Sequence, residues 1–177
     1  MEKGSVITNF KFEGFPNPDE DKSESVDIQL ADFYNQSGDE VFPEGSPLGA
    51  GEPKPTVLLL NIGAVWCGPC QEEADTVLPG QYAKYSPKGV QFVFVLADGP
   101  NQGVPAGLNS LVSWTTKYET LWPATIDPSY TLGSLFKGAA FPVNIVIDTQ
   151  TMKIVEAVAG LPEEDGPLFQ ALDELTE

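Results

Sequence analysis

The stretch "TVLLLNIGAVWCGPCQEEADTVL", residues 56–78, contains the only two cysteines of the chain. Its first part, residues 56–65, follows a proline and is rich in leucine and β-branched residues, which is typical of a buried central strand. Its last part, residues 70–78, contains good helix formers, with acids in the first turn where the helix dipole favours negative charge. The cysteines therefore lie where a strand ends and a helix begins.

This position predicts different roles for the two thiols. Cys67 is expected at or near the helix N-cap, with Gly68 allowing a tight turn. Pro69 is tolerated in a first turn because no intrahelical donor is lost there. The unpaired N–H groups and the positive helix end stabilise a thiolate at Cys67, whereas Cys70 should point into the turn and be less exposed. We therefore expect Cys67 to attack and Cys70 to resolve.

Other uses of a cysteine pair fit this sequence less well. A structural zinc site needs four ligands, usually Cys and His, and the chain has no histidine and no second Cys-x-x-Cys pair. A metal site would need carboxylates or a second chain to complete it. Turn chemistry explains Asp98, Asp127 and Asp148, at the strand ends, without a metal. A disulfide across two residues constrains little of the unfolded chain, but the spacing suits reversible oxidation. We predict no metal and no cofactor.

The composition limits the partners and the chemistry. A chain of 177 residues with 41% hydrophobic residues is long enough for roughly one packed domain. The 26 acidic residues exceed the 9 basic ones and give a net charge of −17, which opposes binding to nucleic acid but is compatible with a basic partner surface. The absence of histidine from the sequence excludes Ser/His and Cys/His catalysis.

The active-site stretch resembles a known family. Residues 57–73 contain a Trp-Cys-Gly-Pro-Cys run and resemble the active site of thioredoxin-fold proteins, in particular the TlpA/ResA-like thiol–disulfide oxidoreductases. Members of that branch commonly carry Asn at the position of Asn61, where thioredoxins have a buried Asp, and Glu at the position of Glu73. Residues 9–38 resemble the family's N-terminal β-hairpin, and residues 141–148 resemble its cis-proline segment.

The resemblance implies an α/β thioredoxin-like fold, with a central mixed β-sheet flanked by helices and an N-terminal β-hairpin extension. One such domain is expected over residues 1–177, with the hairpin and a Gly/Pro-rich insertion in residues 1–55 and the thioredoxin core in residues 56–177. Strand and helix patterns alternate along that core. The predicted elements are a buried strand at 90–99, an amphipathic helix at 107–118, an extended segment at 122–128, two strands at 144–160 and a closing helix at 163–175.

Two segments depart from the family pattern. Pro79-Gly80 interrupts the helix after Cys70, so we expect a break or a sharp kink there. Residues 37–55 are too rich in Gly and Pro for a helix or a central strand. This insertion is expected to be a solvated surface loop, with a partner-docking loop or a lid over the redox site as the alternative.

The resemblance also implies roles for the site residues. Glu73 lies on the same helix face as Cys70 and is expected to accept its proton. The Phe141–Pro142 bond is expected to be cis, leaving the backbone at Phe141 to pair with an extended substrate. We predict catalytic roles for Cys67, Cys70 and Glu73, substrate binding by Trp66, Phe141 and Pro142, and structural support from Asn61, Gly68 and Pro69.

The expected function is thiol–disulfide exchange, most simply reduction of protein disulfides, with a non-catalytic binding module on a thioredoxin scaffold as the alternative. The expected partners are protein thiols or disulfides and a redox partner protein, and the chain is expected to be a monomer. Gly68-Pro69, in place of the His found in oxidising relatives, and the negative charge favour a reductant.

The expected location is extracytoplasmic, in the periplasm or envelope, with the targeting segment absent from this sequence. A cytoplasmic location is also compatible with the residues. The longest apolar run, near residues 57–60, is too short to span a bilayer, so no direct membrane insertion is expected.

Overall fold

The computed structural model describes residues 2–135 and 140–177. Within these residues, seven strands form one mixed sheet in the order β2-β1-β5-β4-β3-β6-β7. Parallel pairing joins β3 to β4 and β4 to β5, whereas the outer strands pair antiparallel. The strands are β1 (Lys11–Phe15), β2 (Val26–Gln29), β3 (Val57–Ala64), β4 (Val90–Asp98), β5 (Ala124–Ile126), β6 (Val143–Asp148) and β7 (Lys153–Ala159).

The helices over the described ranges are α1 (Gly68–Glu72), α2 (Leu78–Tyr85), α3 (Leu108–Lys117) and α4 (Pro167–Leu175). Alternation along β3 sends Leu59 into a core with side chains from all four helices. Leu58 and Leu60 enter a second core, on the other face, with the N-terminal segment and the short 3₁₀ helix Leu30–Phe33. Because both faces are covered, every residue of β3 is buried, as its apolar run predicts.

The predicted N-terminal hairpin is confirmed, and it joins the main sheet. β1 pairs with β2 on one side and with β5 on the other. This second pairing depends on Gly14, which lies opposite Thr125. A Cβ atom at Gly14 would lie 2.1 Å from the Ala124 carbonyl oxygen. Glycine therefore permits the close approach of the two backbones.

The insertion at residues 37–55 is anchored at the end of the sheet away from the cysteines. Val41 forms a β-bridge with Pro53, and the buried Phe42 ring packs edge-on against Phe33 at 6.1 Å. The insertion leads into the N-terminal end of β3, whereas the cysteines follow its C-terminal end. The lid interpretation is therefore wrong. Most side chains of the segment are exposed, as expected of a surface loop.

Of the break or sharp kink expected at Pro79, the break does not occur, because helical backbone continues from Gly68 to Tyr85. Residues Glu73–Val77 form a π-helical turn, in which the Leu78 N–H donates to the Glu73 carbonyl. Proline cannot supply the N–H that an α-helical ladder requires and clashes with the preceding turn. The wider π turn accommodates this residue without ending the helix.

No helix within the described residues is both long and apolar enough to cross a bilayer.

Candidate active site

The two cysteines form a disulfide at the junction that the sequence predicts. The Cα atoms of Cys67 and Cys70 are 5.3 Å apart. Cys67 is the N-cap of α1, with extended backbone, and Pro69 occupies the first turn. The Cys67 sulfur accepts a hydrogen bond from the Cys70 backbone N–H at 3.1 Å. The helix N-terminus therefore already contacts the sulfur that would carry negative charge after reduction.

The surroundings of the two sulfurs differ more than their exposure does. Cys67 and Cys70 are 3% and 2% exposed, so the expected difference in exposure is small in the disulfide form. Cys67 nevertheless lines a cavity of about 480 Å³. Cys70 faces β3, where a Cβ atom on Gly63 would lie 3.4 Å from its sulfur. Glycine at this position gives the second cysteine room to pack against the strand.

Glu73, the first residue of the π turn that continues α1, lies on the helix face that carries Cys70 and is only 1% exposed. Two amides hold its carboxylate. Asn61 Nδ2 donates to one carboxylate oxygen at 2.7 Å, and Asn144 Nδ2 donates to the other at 2.6 Å. Burial raises the pKa of Glu73 to about 7, against the opposing effect of these two hydrogen bonds. A carboxylate with that pKa can take up or release a proton near neutral pH.

Asn61 lies beneath the disulfide and has hydrogen-bond partners, as the sequence predicts. Asn144 is the partner that sequence reasoning missed. It is fully buried on β6, directly opposite Asn61, and accepts a hydrogen bond from Asn61 Nδ2 at 2.9 Å. The available signal was a polar residue within the apolar strand sequence VNIVID.

The Trp66 ring lies beside the disulfide with 37% of its surface exposed. Its indole N–H donates to Asp98 Oδ2 at 2.8 Å. The same carboxylate accepts from the Gly103 backbone N–H at 2.8 Å and from the Tyr130 hydroxyl at 2.6 Å. Asp98 therefore holds the ring from the end of β4. Sequence reasoning assigned Asp98 to turn chemistry alone and did not single out Tyr130, which no local pattern marks.

These hydrogen bonds also determine the charge state of the group around Asp98. Burial by itself would raise the pKa of Asp98, but the hydrogen bonds from Tyr130, Gly103 and Trp66 bring it below its usual value. Burial and the adjacent Asp98 carboxylate raise the pKa of Tyr130 to about 12. At neutral pH the Asp98 side chain is therefore a carboxylate, and the Tyr130 side chain is a protonated phenol.

The Phe141–Pro142 peptide bond is cis, as predicted. The Phe141 ring lies edge-on to the Trp66 ring, with the centroids 6.1 Å apart. Trp66 and Phe141 thus form an aromatic pair at the cavity beside Cys67. The residues around this cavity are Trp66, Cys67, Gly68, Pro69, Asp98, Gln102, Gly103, Tyr130, Ala140 and Phe141.

The remaining carboxylates singled out from the sequence have separate local roles. Asp127 accepts from the backbone N–H groups of Thr131 and Leu132, and Asp148 accepts from the Gln150 N–H. In the described part of the chain, no group of three or more Cys, Asp or Glu residues is arranged to hold a metal ion. Glu72, next to the site residue Glu73, is exposed to solvent.

The chain was compared with family models, with known proteins and with solved structures. No protein-family model matches the chain. The chain is 27% identical to the thiol-disulfide oxidoreductase ResA of Oceanobacillus iheyensis over 113 residues, which cover 63% of this chain and 55% of ResA. The match thus spans about half the length of this relative.

Solved structures share the fold over nearly the whole chain. A protein assigned as the thiol:disulfide interchange protein DsbE from Chlorobium tepidum has a TM-score of 0.70 at 21% identity, covering 100% of this chain and 99% of its own. A protein assigned as a disulfide isomerase from Bacteroides thetaiotaomicron has a TM-score of 0.67 at 17% identity, covering 99% of this chain and 91% of its own.

The chain is therefore a thioredoxin-fold protein with a Cys-x-x-Cys disulfide at the N-terminus of a helix. The similarity to ResA and the DsbE-like fold support the resemblance to the TlpA/ResA-like thioredoxin-fold family that the active-site motif indicates.

Proposed function

We propose that this protein is a thiol–disulfide oxidoreductase that reduces disulfides of protein substrates. The observation that carries the proposal is the contrast between the two cysteines. Cys67 is the helix N-cap and lines an open cavity, whereas Cys70 packs against β3 on the helix face of the buried Glu73. An attacking and a resolving thiol need these two environments.

The proposed cycle begins with the dithiol form. The Cys67 thiolate attacks one sulfur of a substrate disulfide, that S–S bond breaks, and the second substrate sulfur leaves as a thiolate. Cys70 then transfers its proton to Glu73 and attacks the Cys67 sulfur of the mixed disulfide. The substrate leaves with both sulfurs reduced, and the protein retains the Cys67–Cys70 disulfide. A partner dithiol must then supply two electrons, and the Glu73 proton returns to Cys70, which restores the starting state with Cys67 as a thiolate and Cys70 as a thiol.

The structure supports roles for the surrounding residues in this cycle. Trp66 and Phe141 would contact the substrate beside Cys67, since they form the aromatic pair at the cavity, whereas Pro142 is buried. Asn61 would hold Glu73, and Gly68 and Pro69 would shape the first turn of α1 around the disulfide. Exposed aromatic rings suit protein substrates because they bury a large apolar area with little loss of conformational entropy.

The proposed direction and location rest on composition as well as on the resemblance. Only two cysteines occur in the sequence, and both belong to the redox pair, which suits an oxidising compartment where spare thiols mispair. We place the protein outside the cytoplasm, acting as a monomeric reductant. Cell fractionation and light scattering of the purified protein test the location and the oligomeric state.

Reduction of insulin disulfides by the dithiol form tests the activity directly. Wild type is expected to accelerate insulin precipitation, and Cys67→Ser is expected to reduce the rate to that of the reductant alone. Equal rates for the two proteins, with every reductant tried, would reject the proposed activity in favour of a non-catalytic binding module.

A further inference from the structure

Asn144 is an unusual residue in its strand. The other β6 residues from Val143 to Ile147 are apolar and fully buried, and Asn144 is fully buried among them. Burying an amide costs free energy unless its polar atoms are hydrogen-bonded. The atoms that satisfy Asn144 therefore indicate what the residue does in the folded protein.

The three polar side chains under the disulfide form a closed set of hydrogen bonds. Asn61 and Asn144 are directly opposed on the antiparallel pair β3–β6, so their side chains lie on one face of the sheet. Asn144 Oδ1 accepts from Asn61 Nδ2, which leaves the Asn144 N–H₂ group facing Glu73. Each oxygen of the Glu73 carboxylate thus receives an N–H from a different strand.

We propose that Asn144 is a positioning residue that holds the Glu73 carboxylate between β3 and β6 for proton exchange with Cys70. This inference rests on the proposed function. Asn61 alone anchors one oxygen and leaves the carboxylate free to rotate, whereas the second donor, from β6, fixes its plane. The N–H₂ group also favours the charged, proton-accepting form of Glu73.

Few groups shift the pKa of the Glu73 carboxyl. Within the described part of the chain, its pKa is shifted by its own burial, which raises it, and by the two amides, which lower it. β3 and β6 therefore face the carboxylate with uncharged side chains. The titratable groups on α1 are Cys67 and Cys70, which titrate only after reduction, and the exposed Glu72. Loss of the Asn144 donor is thus expected to raise the pKa of Glu73.

The test uses a preformed mixed disulfide between Cys67 and a substrate peptide. Its release by Cys70 is followed in single turnover from pH 5 to pH 9. Asn144→Leu is expected to slow release at pH 7 about tenfold, as loss of a hydrogen bond to a charged group implies. In the plot of release rate against pH, the low-pH limb of Asn144→Leu is expected to move to higher pH. The attack of Cys67 on a small disulfide, measured separately, is expected to change less than about twofold.

Thr149→Val is the matched control. Thr149 is also fully buried, and its hydroxyl donates to the Pro55 carbonyl at 2.7 Å, at the opposite end of β3. This variant loses one buried hydrogen bond without touching Glu73. A release profile of Asn144→Leu that overlays the Thr149→Val profile would overturn the inference.

A double variant shows whether Asn144 acts through Glu73. Adding Asn144→Leu to Glu73→Gln is expected to cause no further loss in the release rate, because the group that Asn144 positions is already absent. If Asn144→Leu slows release by the same factor in Glu73→Gln as in wild type, Asn144 has a merely structural role. If Asn144→Leu does not fold, Asn144→Ala removes the donor to Glu73 without adding a larger or a charged side chain, and the same outcomes apply.

A readout that needs no activity separates this inference from the proposed function. The side-chain carboxyl of Glu73 is titrated by ¹³C NMR in the oxidised protein, with Glu73→Gln identifying the signal. Asn144→Leu is expected to raise the measured pKa, and an unchanged pKa would overturn the inference. Wild type without reductase activity would reject the proposed function, and with it the contribution of Asn144 to proton exchange with Cys70.

Discussion

At the scale of single residues, Glu73 is where burial and hydrogen bonding compete most directly. Removing a carboxylate from water favours its protonated form, whereas the amides of Asn61 and Asn144 favour the charged form. Burial prevails, so the folded protein binds the Glu73 proton more tightly than the unfolded chain does. The raised pKa that suits Glu73 to proton transfer must therefore also make the stability of the protein depend on pH.

Glu73→Gln is expected to change that dependence. A pKa raised from 4.5 to about 7 in the folded state means that unfolding releases a proton between these pH values. The wild-type free energy of unfolding should therefore fall as pH rises through this window, by about 3 kcal/mol relative to the variant. Urea denaturation of both oxidised proteins from pH 4 to pH 8 measures the difference, and a difference that does not vary with pH would contradict the expectation.

Asp98 is the second residue whose surroundings suggest a measurable role. Its carboxylate accepts the Trp66 indole N–H, so Asp98→Ala is expected to free the ring and shift the Trp66 indole signal in ¹⁵N NMR spectra, where Trp66→Phe identifies that signal. Attack of Cys67 on a protein disulfide should fall about tenfold, in line with a lost hydrogen bond to a charged group.

Asp148→Ala provides the control for this prediction. It removes a carboxylate that accepts from Gln150 in the β6–β7 turn, apart from the cavity beside Cys67. The Trp66 signal and the attack rate should both stay at the wild-type values. An unmoved Trp66 signal in Asp98→Ala would show that Asp98 does not hold the ring.

At the scale of elements, the junction of β3 and α1 could be predicted because its pattern is local. A buried strand, a tight turn and an N-cap lie consecutively in the sequence, so no distant contact is needed to recognise them. Partners brought together by the sheet were harder to find. Asn144 lies 83 positions from Asn61, and Asp98 lies 32 positions from Trp66. Pairing register and loop path, which no single segment encodes, create these contacts.

The helix does not break at Pro79, one of the two outcomes expected there, for a related reason. A missing N–H and a steric clash were correctly expected there, but a proline has two structural solutions. The helix can end, or it can widen for one turn, and packing of the flanking residues selects between them. Leu78 is buried in the core shared with α3 and α4, which favours continuation through the π turn.

A pair of glycine substitutions tests the contacts of two elements. Gly14→Ala is expected to destabilise the protein by about 2 kcal/mol or more, because its Cβ meets the backbone of β5 at 2.1 Å. Gly80→Ala, in α2, has open space around the added methyl and is expected to stabilise by about 0.5–1 kcal/mol. Urea denaturation of the oxidised proteins gives both values, and equal effects would contradict the pairing of β1 with β5.

At the scale of the whole molecule, charge and helix dipole act on Cys67 in opposite directions. The N-terminus of α1 stabilises a thiolate there, whereas a net charge of −17 disfavours it. The exposed Glu72 adds a nearby negative charge. A less stabilised thiolate means a less stable dithiol form, and therefore a lower reduction potential. The whole-molecule field thus supports the proposed role as a reductant.

Equilibration with glutathione and with dithiothreitol buffers measures that potential. A value near the roughly −270 mV of thioredoxin is expected, and a value near the roughly −120 mV of DsbA would exclude a reductant. Glu72→Gln is expected to raise the potential slightly by removing one negative charge, and Glu163→Gln, in the loop before α4, provides a charge-matched control. Added salt should raise the wild-type potential in the same direction, because exposed charges separated by more than about 10 Å are screened at 0.1 M. A potential that does not respond to salt would mean that the local turn around Cys67, rather than the charge of the whole molecule, sets the direction of electron flow.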